Sequence, residues 1–492
     1  MSIRRILCSV LIITSLFTGI QTLAIEDEAE LFDKNVELKN GSVLSVIDCV
    51  SLAFKNSPKI RRQKYNLDIA KSNLGIAKSQ YFPVINAGLG FYNENNSNSI
   101  YYDSHMRDLP SVGVSINQLI YNFGKTTAYI KMEEFYKIGA EYEFMDSLCN
   151  TLFDVKAKYY NFLKAKALLN VAKNNVKLNE KFLELSKNKN KEDIATAEVN
   201  LSEAKIKYIE AENTYNNARF NLSNSMYLDF QPEYDIENTP TFTYNDDYAY
   251  SSEHVESAPF EPYVFPFPMD KAVDIAYENS PDLNVLISTK DAMIQSLKYV
   301  KRTYLPDLTA NAGYGFNNSN INHRNNSLQV GVNLTSSVNL MELKHSIRGA
   351  DAQVNLANNE IYLFKKDLYY EVKRAFNNVE RAKKQVPASK TEVEQALGNL
   401  KIVESKYKTN ELNYIALQQA RKDYIKALDS YIESVYNYNI ALIQVEMAMH
   451  YHLIDIHHKS EHAVHYHFGE LLEHLNKVLD CNEKEVKKQG RK

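Results

Sequence analysis

Histidine is the residue type in this sequence with the clearest capacity for chemistry, and it is concentrated near the C-terminus. Eight of the twelve histidines fall within residues 450–474. They are His450, His452, His457, His458, His462, His465, His467 and His474. Imidazole nitrogens at this density can bind Zn, Cu or Ni. The segment predicts a metal-binding tail with the first seven of these histidines as ligands, or else a polar appendage without a defined site.

The sequence contains no arrangement of side chains that is typical of a catalytic site. Gly124 and Lys125 resemble the end of a phosphate-binding loop, but the earlier glycine of that motif is missing. No Ser/His/Asp order and no pair of carboxylates sits in a recognisable frame. The formal net charge of −4 gives no reason to expect nucleic acid as a partner. We therefore expect neither an enzyme nor a cofactor site.

The cysteines do not suggest a disulfide-stabilised fold. Beyond the N-terminal region the chain has Cys49, Cys149 and Cys481. An odd number of cysteines at such wide spacing is not a disulfide framework. We expect isolated thiols, which behave as small apolar side chains when they are buried.

Residues 1–24 have the pattern of a secretory signal peptide. Arg4 and Arg5 supply the positive start, Ile6–Ile20 is a mostly apolar run, and Thr22 and Ala24 permit cleavage after Ala24. An uncleaved anchor is the alternative, but the run is shorter than the ~20 apolar residues that a spanning helix needs. After export the chain is expected to be soluble or to enter a membrane through β-strands.

The remaining chain contains two copies of one unit. Residues 48–58 recur as residues 271–281, and both copies end in Asn-Ser-Pro. At the same spacing, Tyr81–Pro83 recurs as Tyr304–Pro306, each with the pattern Tyr-x-Pro. Two copies at so long a period predict two similar halves rather than a solenoid.

These copies divide the chain into four segments after the signal peptide. We expect a first repeat over residues 25–229 and a second repeat over residues 269–450. Between them, residues 230–268 are acidic and rich in proline and aromatic side chains, which predicts an irregular linker. Residues 451–492 form the histidine-rich tail.

Each repeat contains a predicted β-hairpin, over residues 83–123 and 306–340. Apolar residues alternate there with small polar ones, and the strands are about ten residues long, as in membrane barrels. The polar positions that would line a water-filled lumen are Asn86, Ser115, Asn117, Thr309, Asn311 and Asn333. Four strands cannot close a lipid-exposed barrel, whereas three copies would supply twelve strands.

A long helical hairpin is predicted after each β-hairpin. In the first repeat a helix over residues 125–187 carries a coiled-coil seam with alternating spacings of four and three residues. That seam consists of Leu148, Leu152, Val155, Tyr159 and Phe162. Similar spacing begins at Ile361 in the second repeat, where Pro387 is expected to kink the helix. Helices of this length suit side-by-side packing into a tube.

Together, the signal peptide, the duplicated Asn-Ser-Pro and Tyr-x-Pro motifs and the paired hairpins resemble the TolC-like outer-membrane efflux protein family. The resemblance implies a mixed α/β membrane protein that forms a homotrimer. Four β-strands per protomer would build a 12-stranded shared barrel in outer-membrane lipid, and long antiparallel coiled-coil helices would form a periplasmic tunnel. It also implies a passive exit duct in a tripartite efflux or type I secretion system. Its partners would be a periplasmic adaptor and an inner-membrane transporter.

The resemblance also marks candidate residues at the periplasmic tips of the helical hairpins. Asp193 begins a match to the family's tip motif in the first repeat. In the second repeat Ala416 and Gln419 stand where some relatives carry two aspartates that ring the closed aperture, so that ring is not expected here. The first tip is basic instead, which indicates a distinctive gate or merely a solvated turn. Its basic residues are Lys187, Lys189 and Lys191.

Two other functions fit parts of the sequence. A periplasmic coiled-coil adaptor or scaffold with a metal-binding tail would explain the helices, but it does not need alternating strands. A metal-binding enzyme would use the histidine tail, but that tail lacks carboxylate partners for catalysis. Drugs, metals, peptides and proteins all remain possible substrates of an exit duct.

Overall fold

The structure is a computed structural model of the chain. The described ranges are 41–94, 107–187, 191–228, 233–237, 242–244, 255–257, 268–320, 323–409 and 411–450. The expected signal peptide and the tail over residues 451–492 lie outside these ranges.

The two repeats have the same order of elements. The first comprises β1 (Ser42–Leu44), α1 (Val46–Asn56), α2 (Pro58–Ser79), β2 (Val84–Glu94), β3 (Arg107–Tyr121), α3 (Lys125–Ser186) and α4 (Lys191–Ser225). The linker contains three short strands, β4 (Tyr234–Ile236), β5 (Phe242–Tyr244) and β6 (Val255–Ser257). The second comprises α5 (Met269–Asn279), α6 (Pro281–Val300), β7 (Asp307–Asn320), β8 (His323–Thr335), α7 (Leu340–Lys408) and α8 (Tyr414–Met449). The long helices thus match the predicted ones closely, and the described parts of the linker include three short strands.

The Asn-Ser-Pro motif forms the same helix joint in both repeats. The hydroxyl of Ser57 accepts a hydrogen bond from the Ile60 N–H at 3.3 Å, which caps α2. The hydroxyl of Ser280 accepts one from the Leu283 N–H at the same distance, which caps α6. Both serines are fully buried, and the proline after each supplies a first helical residue that needs no N–H partner. The repeated sequence therefore encodes a repeated N-cap.

The two β-hairpins join into one four-stranded antiparallel sheet with the order β2-β3-β7-β8. The pairing of β3 with β7 connects the two repeats. The helices that continue from these strands keep the same order, because α2 packs against α3, α3 against α6, and α6 against α7. Farther along the helices, α4 packs on α3, α3 on α8, and α8 on α7.

The predicted seam of the first repeat is buried, whereas Ile361, where the seam of the second repeat begins, is only half-buried. All five predicted seam residues of α3 lie in the core. In the second repeat, α5, α7 and α8 share an apolar cluster that includes Val273, Val372 and Leu442. Helix α7 runs from Leu340 to Lys408 through Pro387 without a break in helical structure. None of the helices in the described ranges is apolar over a stretch long enough to cross a membrane.

The linker is fastened to the helices through its first strand. Strand β4 pairs in parallel with β1. The Tyr159 hydroxyl lies 3.3 Å from the carbonyl oxygens of both Leu44 and Glu237, so it bridges the two sides of that pair. Lys166 adds an ion pair to Asp235 at 2.6 Å. These contacts attach the start of the linker to the middle of α3.

Candidate functional site: the polar sheet face and the helical tips

The six predicted lumen positions share one face of the sheet. Residues directly opposite each other in a ladder point to the same side. Asn86 lies opposite Ser115, Asn117 opposite Asn311, and Thr309 opposite Asn333. Ser115 and Asn117, and likewise Thr309 and Asn311, are two residues apart on their strands and so also share a face. The sequence alternation and the observed register therefore agree.

Asparagine side chains interact across this polar face. Asn333 Nδ2 donates a hydrogen bond to Asn311 Oδ1 at 3.1 Å. Gly331 lies opposite Asn311, and a Cβ atom there would stand 3.1 Å from the same oxygen. A larger side chain at position 331 would crowd the Asn311 amide, so glycine keeps room for the amide pair.

The opposite face of the sheet is apolar and is not covered by any other part of the described ranges. Ile85, Ile116 and Val330 form part of one row across the strands, and all three are exposed. Leu328 and Val332 flank Val330 on β8 and are equally open. An exposed apolar surface of this extent indicates contact with lipid or with another protein.

The base of the sheet is tied to the helices by charged side chains from both repeats. Lys125, at the start of α3, donates to the Leu305 carbonyl oxygen at 2.9 Å and pairs with Asp307 at 2.6 Å. Arg302 Nη1 donates to the Gly124 carbonyl oxygen at 2.9 Å. Gly124 has a φ of 78°, a left-handed conformation that favours glycine. This junction holds the strand–helix corner of one repeat against that of the other.

The first helical tip is only partly within the described residues. Lys187 caps the end of α3 and Lys191 begins α4, and both side chains are exposed. Lys189 lies outside the described ranges. Asp193, in the first turn of α4, is half-buried. An acidic residue near a helix N-terminus interacts favourably with the helix dipole, which gives Asp193 a local role whatever its role at the tip.

The second tip is ordered by an N-cap. Asn413 Oδ1 accepts a hydrogen bond from the Ala416 N–H at 3.0 Å at the start of α8. Gln419 is exposed and donates from Nε2 to Asp423 Oδ1 at 2.8 Å. The carboxylate that Gln419 contacts thus lies one helical turn beyond it.

The two tips are in contact through a small apolar cluster. It contains Phe182 of α3, Ala197 of α4, Leu400 of α7, and Leu417 of α8. Tyr414 closes the cluster and packs its ring at 6.4 Å from that of Phe182. The hairpins of the two repeats therefore meet close to their ends.

Arg421 is a functional candidate that sequence reasoning missed. Its guanidinium lies 3.4 Å from the centroid of the Phe182 ring, and its Nη2 bonds Glu404 Oε1 of α7 at 3.2 Å. The next residue, Lys422, pairs with Glu203 of α4 at 2.7 Å. This dipeptide of α8 therefore contacts all three neighbouring helices.

A signal for Arg421 is present in the heptad pattern. It is the only charged residue in the seam of α8 and is 7% exposed. That seam is Tyr414, Leu417, Arg421, Tyr424, Leu428, Tyr431, Val435, Tyr438, Leu442, Val445 and Met449. A buried charge at such a position costs free energy unless it has partners. A single charged residue in an otherwise apolar seam therefore indicates a position with specific contacts.

Of the predicted metal ligands, only His450 lies within the described residues. It caps the C-terminus of α8 with a φ of 48°, and its Nε2 is 4.0 Å from Asp146 Oδ1. Burial lowers the pKa of His450 to about 4, so the imidazole is neutral at neutral pH. Within the described ranges no three His, Cys, Asp or Glu side chains are grouped to hold a metal. The metal-binding tail remains a prediction.

Buried titratable groups occur at two other places on the helices. Burial raises the pKa of Asp146 to about 6, and Asp282 adds to that rise. Burial likewise raises the pKa of Asp429 to about 6, with Lys207 opposing the rise and Glu433 adding to it. Cys49 and Cys149 are buried free thiols, as predicted, and burial raises the pKa of each. Cys481 lies outside the described ranges.

Solved structures with the same fold include outer membrane channels. The Campylobacter jejuni CmeC outer membrane channel is 14% identical over 88% of this chain and 93% of its own, with a TM-score of 0.68. The Vibrio cholerae outer membrane protein VceC is 13% identical over 82% of this chain and 95% of its own, with a TM-score of 0.68. The Neisseria gonorrhoeae MtrE outer membrane channel is 13% identical over 88% of this chain and 98% of its own, with a TM-score of 0.66. At these identities the likeness shows the fold.

Sequence comparison identifies the family. The pattern of the family described as "Outer membrane efflux protein" matches residues 49–226 and 272–449, which correspond to the two repeats. A comparison with curated protein sequences gives no match. The predicted resemblance is confirmed, and the alternative of a periplasmic adaptor or scaffold is not favoured. Because the family pattern spans most of both repeats, the chain belongs to the outer membrane efflux protein family, whose members are outer-membrane efflux channels.

Proposed function

We propose that three copies of this chain assemble into a passive exit duct, in which a twelve-stranded barrel crosses the outer membrane and a helical tunnel extends into the periplasm. An inner-membrane transporter and a periplasmic adaptor deliver the substrate, as in tripartite efflux or type I secretion. The chain itself performs no chemistry. The observation that carries this proposal concerns the two ends of the sheet and of the helical layer. Each end has an edge without a neighbour among the described residues, and the edge of one copy can pack against the opposite edge of the next.

The open strand edges belong to β2 and β8. In the order β2-β3-β7-β8, each has a neighbour on one side only among the described strands. An unpaired strand edge exposes a row of backbone N–H and C=O groups, and ring closure removes such edges. Strands β2 and β8 run in opposite directions, so β8 of one copy can pair with β2 of the next in the antiparallel manner used throughout the sheet.

The open helix edges carry apolar stripes with coiled-coil spacing. On α2, Tyr65, Ile69 and Ile76 are each more than half exposed. On α7, Leu356, Leu363 and Tyr370 follow one another at intervals of one heptad and are also more than half exposed. An exposed stripe with this period is the pattern of a helix that packs against another helix. We assign α7 of one copy to the space beside α2 of its neighbour.

The same edge continues toward the tips on α4. Val199, Ile206 and Ile209 are more than half exposed there, although α4 packs on α3 through its other side. In the lower part of the helices, α4 and α7 are the outer members of the packing order. The neighbour of α7 in an assembled ring is therefore α4 at this level.

The polar and apolar faces of the sheet fit the two sides of such a barrel. The face that carries Asn86, Asn117 and Asn311 would contact water in the lumen, and the face that carries Ile85 and Val330 would contact lipid. Uncharged amides and glycine suit a wet lumen, and an alternating strand supplies both faces at once.

The helical tips would form the periplasmic opening and the surface that meets the adaptor. In the second repeat this opening would have Ala416 and Gln419, which are uncharged, at the level of the family's acidic ring. In the first repeat it would have Asp193 beside exposed Lys187 and Lys191. The opening is expected to select ions less strongly than a ring of aspartates does.

The mass of the detergent-solubilised protein tests the assembly, and conductance in a planar lipid bilayer tests the duct. We expect three copies per particle and open-channel currents. Leu363→Glu should prevent assembly because it places a charge in the apolar stripe. Asn358→Glu is the matched control, since residue 358 is exposed on another face of α7 and should leave the trimer intact. A monomeric wild-type protein, or a trimer without conductance, would contradict the proposed function.

A further inference from the structure

The middle of the helical layer carries a second layer of elements on one side. On α3, the Tyr159 hydroxyl contacts β1 and β4 through the carbonyl oxygens of Leu44 and Glu237. On α8, Val435 and Leu442 belong to the apolar cluster that α5 shares with α7 and α8. The strands β1 and β4 and the helix α5 therefore cover the side of α3 and α8 to which these side chains point. We call it the covered side.

The other side of the same two helices, the open side, exposes amide side chains. Successive residues of an α-helix are rotated by about 100°, so a residue two positions further along points about 200° away. Three residues follow Tyr159, Val435 and Leu442, respectively, by two positions and therefore lie on the open side. They are Asn161, Asn437 and Gln444, and all three are exposed.

Lys164 gives this group of amides a positive charge. Its Nζ donates a hydrogen bond from α3 to Asn437 Oδ1 of α8 at 3.4 Å, so its contact there is an amide rather than a carboxylate. Nearer to the sheet, the charges of Asp154 and Lys158 offset each other in an ion pair at 2.7 Å. Nearer to the tip, the next exposed carboxylate of α8 is that of Glu433, one helical turn from Asn437. Between these two levels the open side of α3 and α8 carries the charge of Lys164.

A conduit needs an open bore, and this requirement decides which side faces inward. If the covered side faced the bore, three copies of β1, β4 and α5 would occupy it. In the duct proposed above, the open side is therefore the inner wall. We infer, on the basis of that proposed function, that Asn161, Lys164, Asn437 and Gln444 form a band on this wall that attracts anionic groups of polar cargo. The amides supply hydrogen-bond donors and acceptors, and the ammonium group supplies the charge.

The ion selectivity of the full-length protein in a planar lipid bilayer tests this inference. Reversal potentials in a gradient of potassium chloride give the ratio of potassium to chloride permeability. Lys164→Gln should raise this ratio by about twofold or more, because it removes a cation from the bore in every copy. Asn437→Asp should raise the ratio as well, because it adds a carboxylate beside Lys164 with almost no change in side-chain volume.

Lys271→Gln is the matched control, because Lys271 is exposed on α5, which lies on the covered side. It removes the same charge and should leave the permeability ratio unchanged. The mass of each detergent-solubilised variant shows whether it still assembles. If Lys164→Gln and Asn437→Asp assemble and conduct with the wild-type ratio, the inference is overturned and the duct stands. If the wild-type protein carries no current, the duct and the band are both overturned.

Discussion

The guanidinium of Arg421 stacks 3.4 Å above the ring of Phe182, and so joins a helix of the second repeat to a helix of the first. Because both side chains are almost fully buried, the cation–π attraction acts with little competition from water. The adjacent Lys422–Glu203 pair spans the same junction, but both of its side chains are about half exposed. The two neighbouring cations therefore differ in how much stability they provide.

Arg421→Ala should lower the free energy of unfolding by about 3 kcal/mol, because it removes the stacking, the Glu404 pair and the packing of a buried side chain. Lys422→Ala is the matched control. It should lower the free energy of unfolding by less than about 1 kcal/mol, because exposed ion pairs contribute little to stability. Denaturant-induced unfolding of both variants measures the difference. Equal losses would show that the Phe182 contact adds nothing beyond the charges.

The duplicated caps predict equal effects at two distant sites. Ser57→Ala and Ser280→Ala should each cost about 1 kcal/mol, since each removes the acceptor for an N–H in the first turn of a helix. The two losses should add in the double variant, because the sites share no partners. Ser72→Ala serves as the control, since Ser72 is exposed within α2. A cost that falls on one site alone would mean that the two joints are not equivalent.

The raised pKa of Asp429 predicts that the stability of the fold depends on pH. Burial raises its pKa from 3.8 to about 6, so the folded state binds this proton more tightly than the unfolded state does. The group therefore destabilises the fold progressively as the pH rises from about 4 to about 6, and fully above that range. Asp429→Asn should raise stability by about 1 kcal/mol at pH 8, with solvent screening taken into account, and should change little at pH 4.

Denaturation curves at pH 4 and pH 8 measure this effect. Asp351→Asn is the control, because Asp351 is an exposed aspartate on α7. Its substitution should change stability little at either pH. A gain for Asp429→Asn that is equally large at pH 4 would rule out the proton linkage.

Substitutions of two glycines with positive φ distinguish the stability lost through backbone strain from the stability lost with a contact. Gly41→Ala has open space for the new methyl group and should cost about 1 kcal/mol for the left-handed backbone alone. At Gly124 the new Cβ would stand 2.8 Å from Arg302 Nη1, so this side chain must move and its bond to the Gly124 carbonyl is disturbed. Gly124→Ala should therefore cost about 1–2 kcal/mol more. Unfolding of the two variants under identical conditions provides the comparison, and equal costs would contradict the role of Arg302.

Local sequence patterns predicted the elements well, because each pattern has a local physical cause. The start of α3 after Gly124 follows from residues that lie within one turn of it, and the repeated Asn-Ser-Pro motif marks the same joint in both repeats. Helix α7 is continuous through Pro387, with the buried Val386 beside it, and the kink expected there stays a prediction.

Features that depend on contacts between the repeats could not be predicted from local patterns. The register of β3 against β7 is one example, since nothing near Asn117 specifies Asn311 as its partner. The linker strand β4 is another, because it forms only where β1 supplies an edge. The contacts of Arg421 with Phe182 and Glu404 require three helices at once. Only Arg421 had a sequence signal, as the single charge in an apolar seam.

The pairing of β3 with β7 also has a consequence for the order of events during folding. Its partners, such as Ser111 and Asn317, are roughly 200 residues apart, and contacts over such separations form slowly. When β3 has been synthesised, its partner is still many seconds from completion at about 5–20 residues per second. Until then β3 presents an unpaired edge beside the apolar side chains of Val112 and Val114. The nascent chain therefore passes through an aggregation-prone stage, and a holding chaperone that binds extended apolar segments would be most effective then.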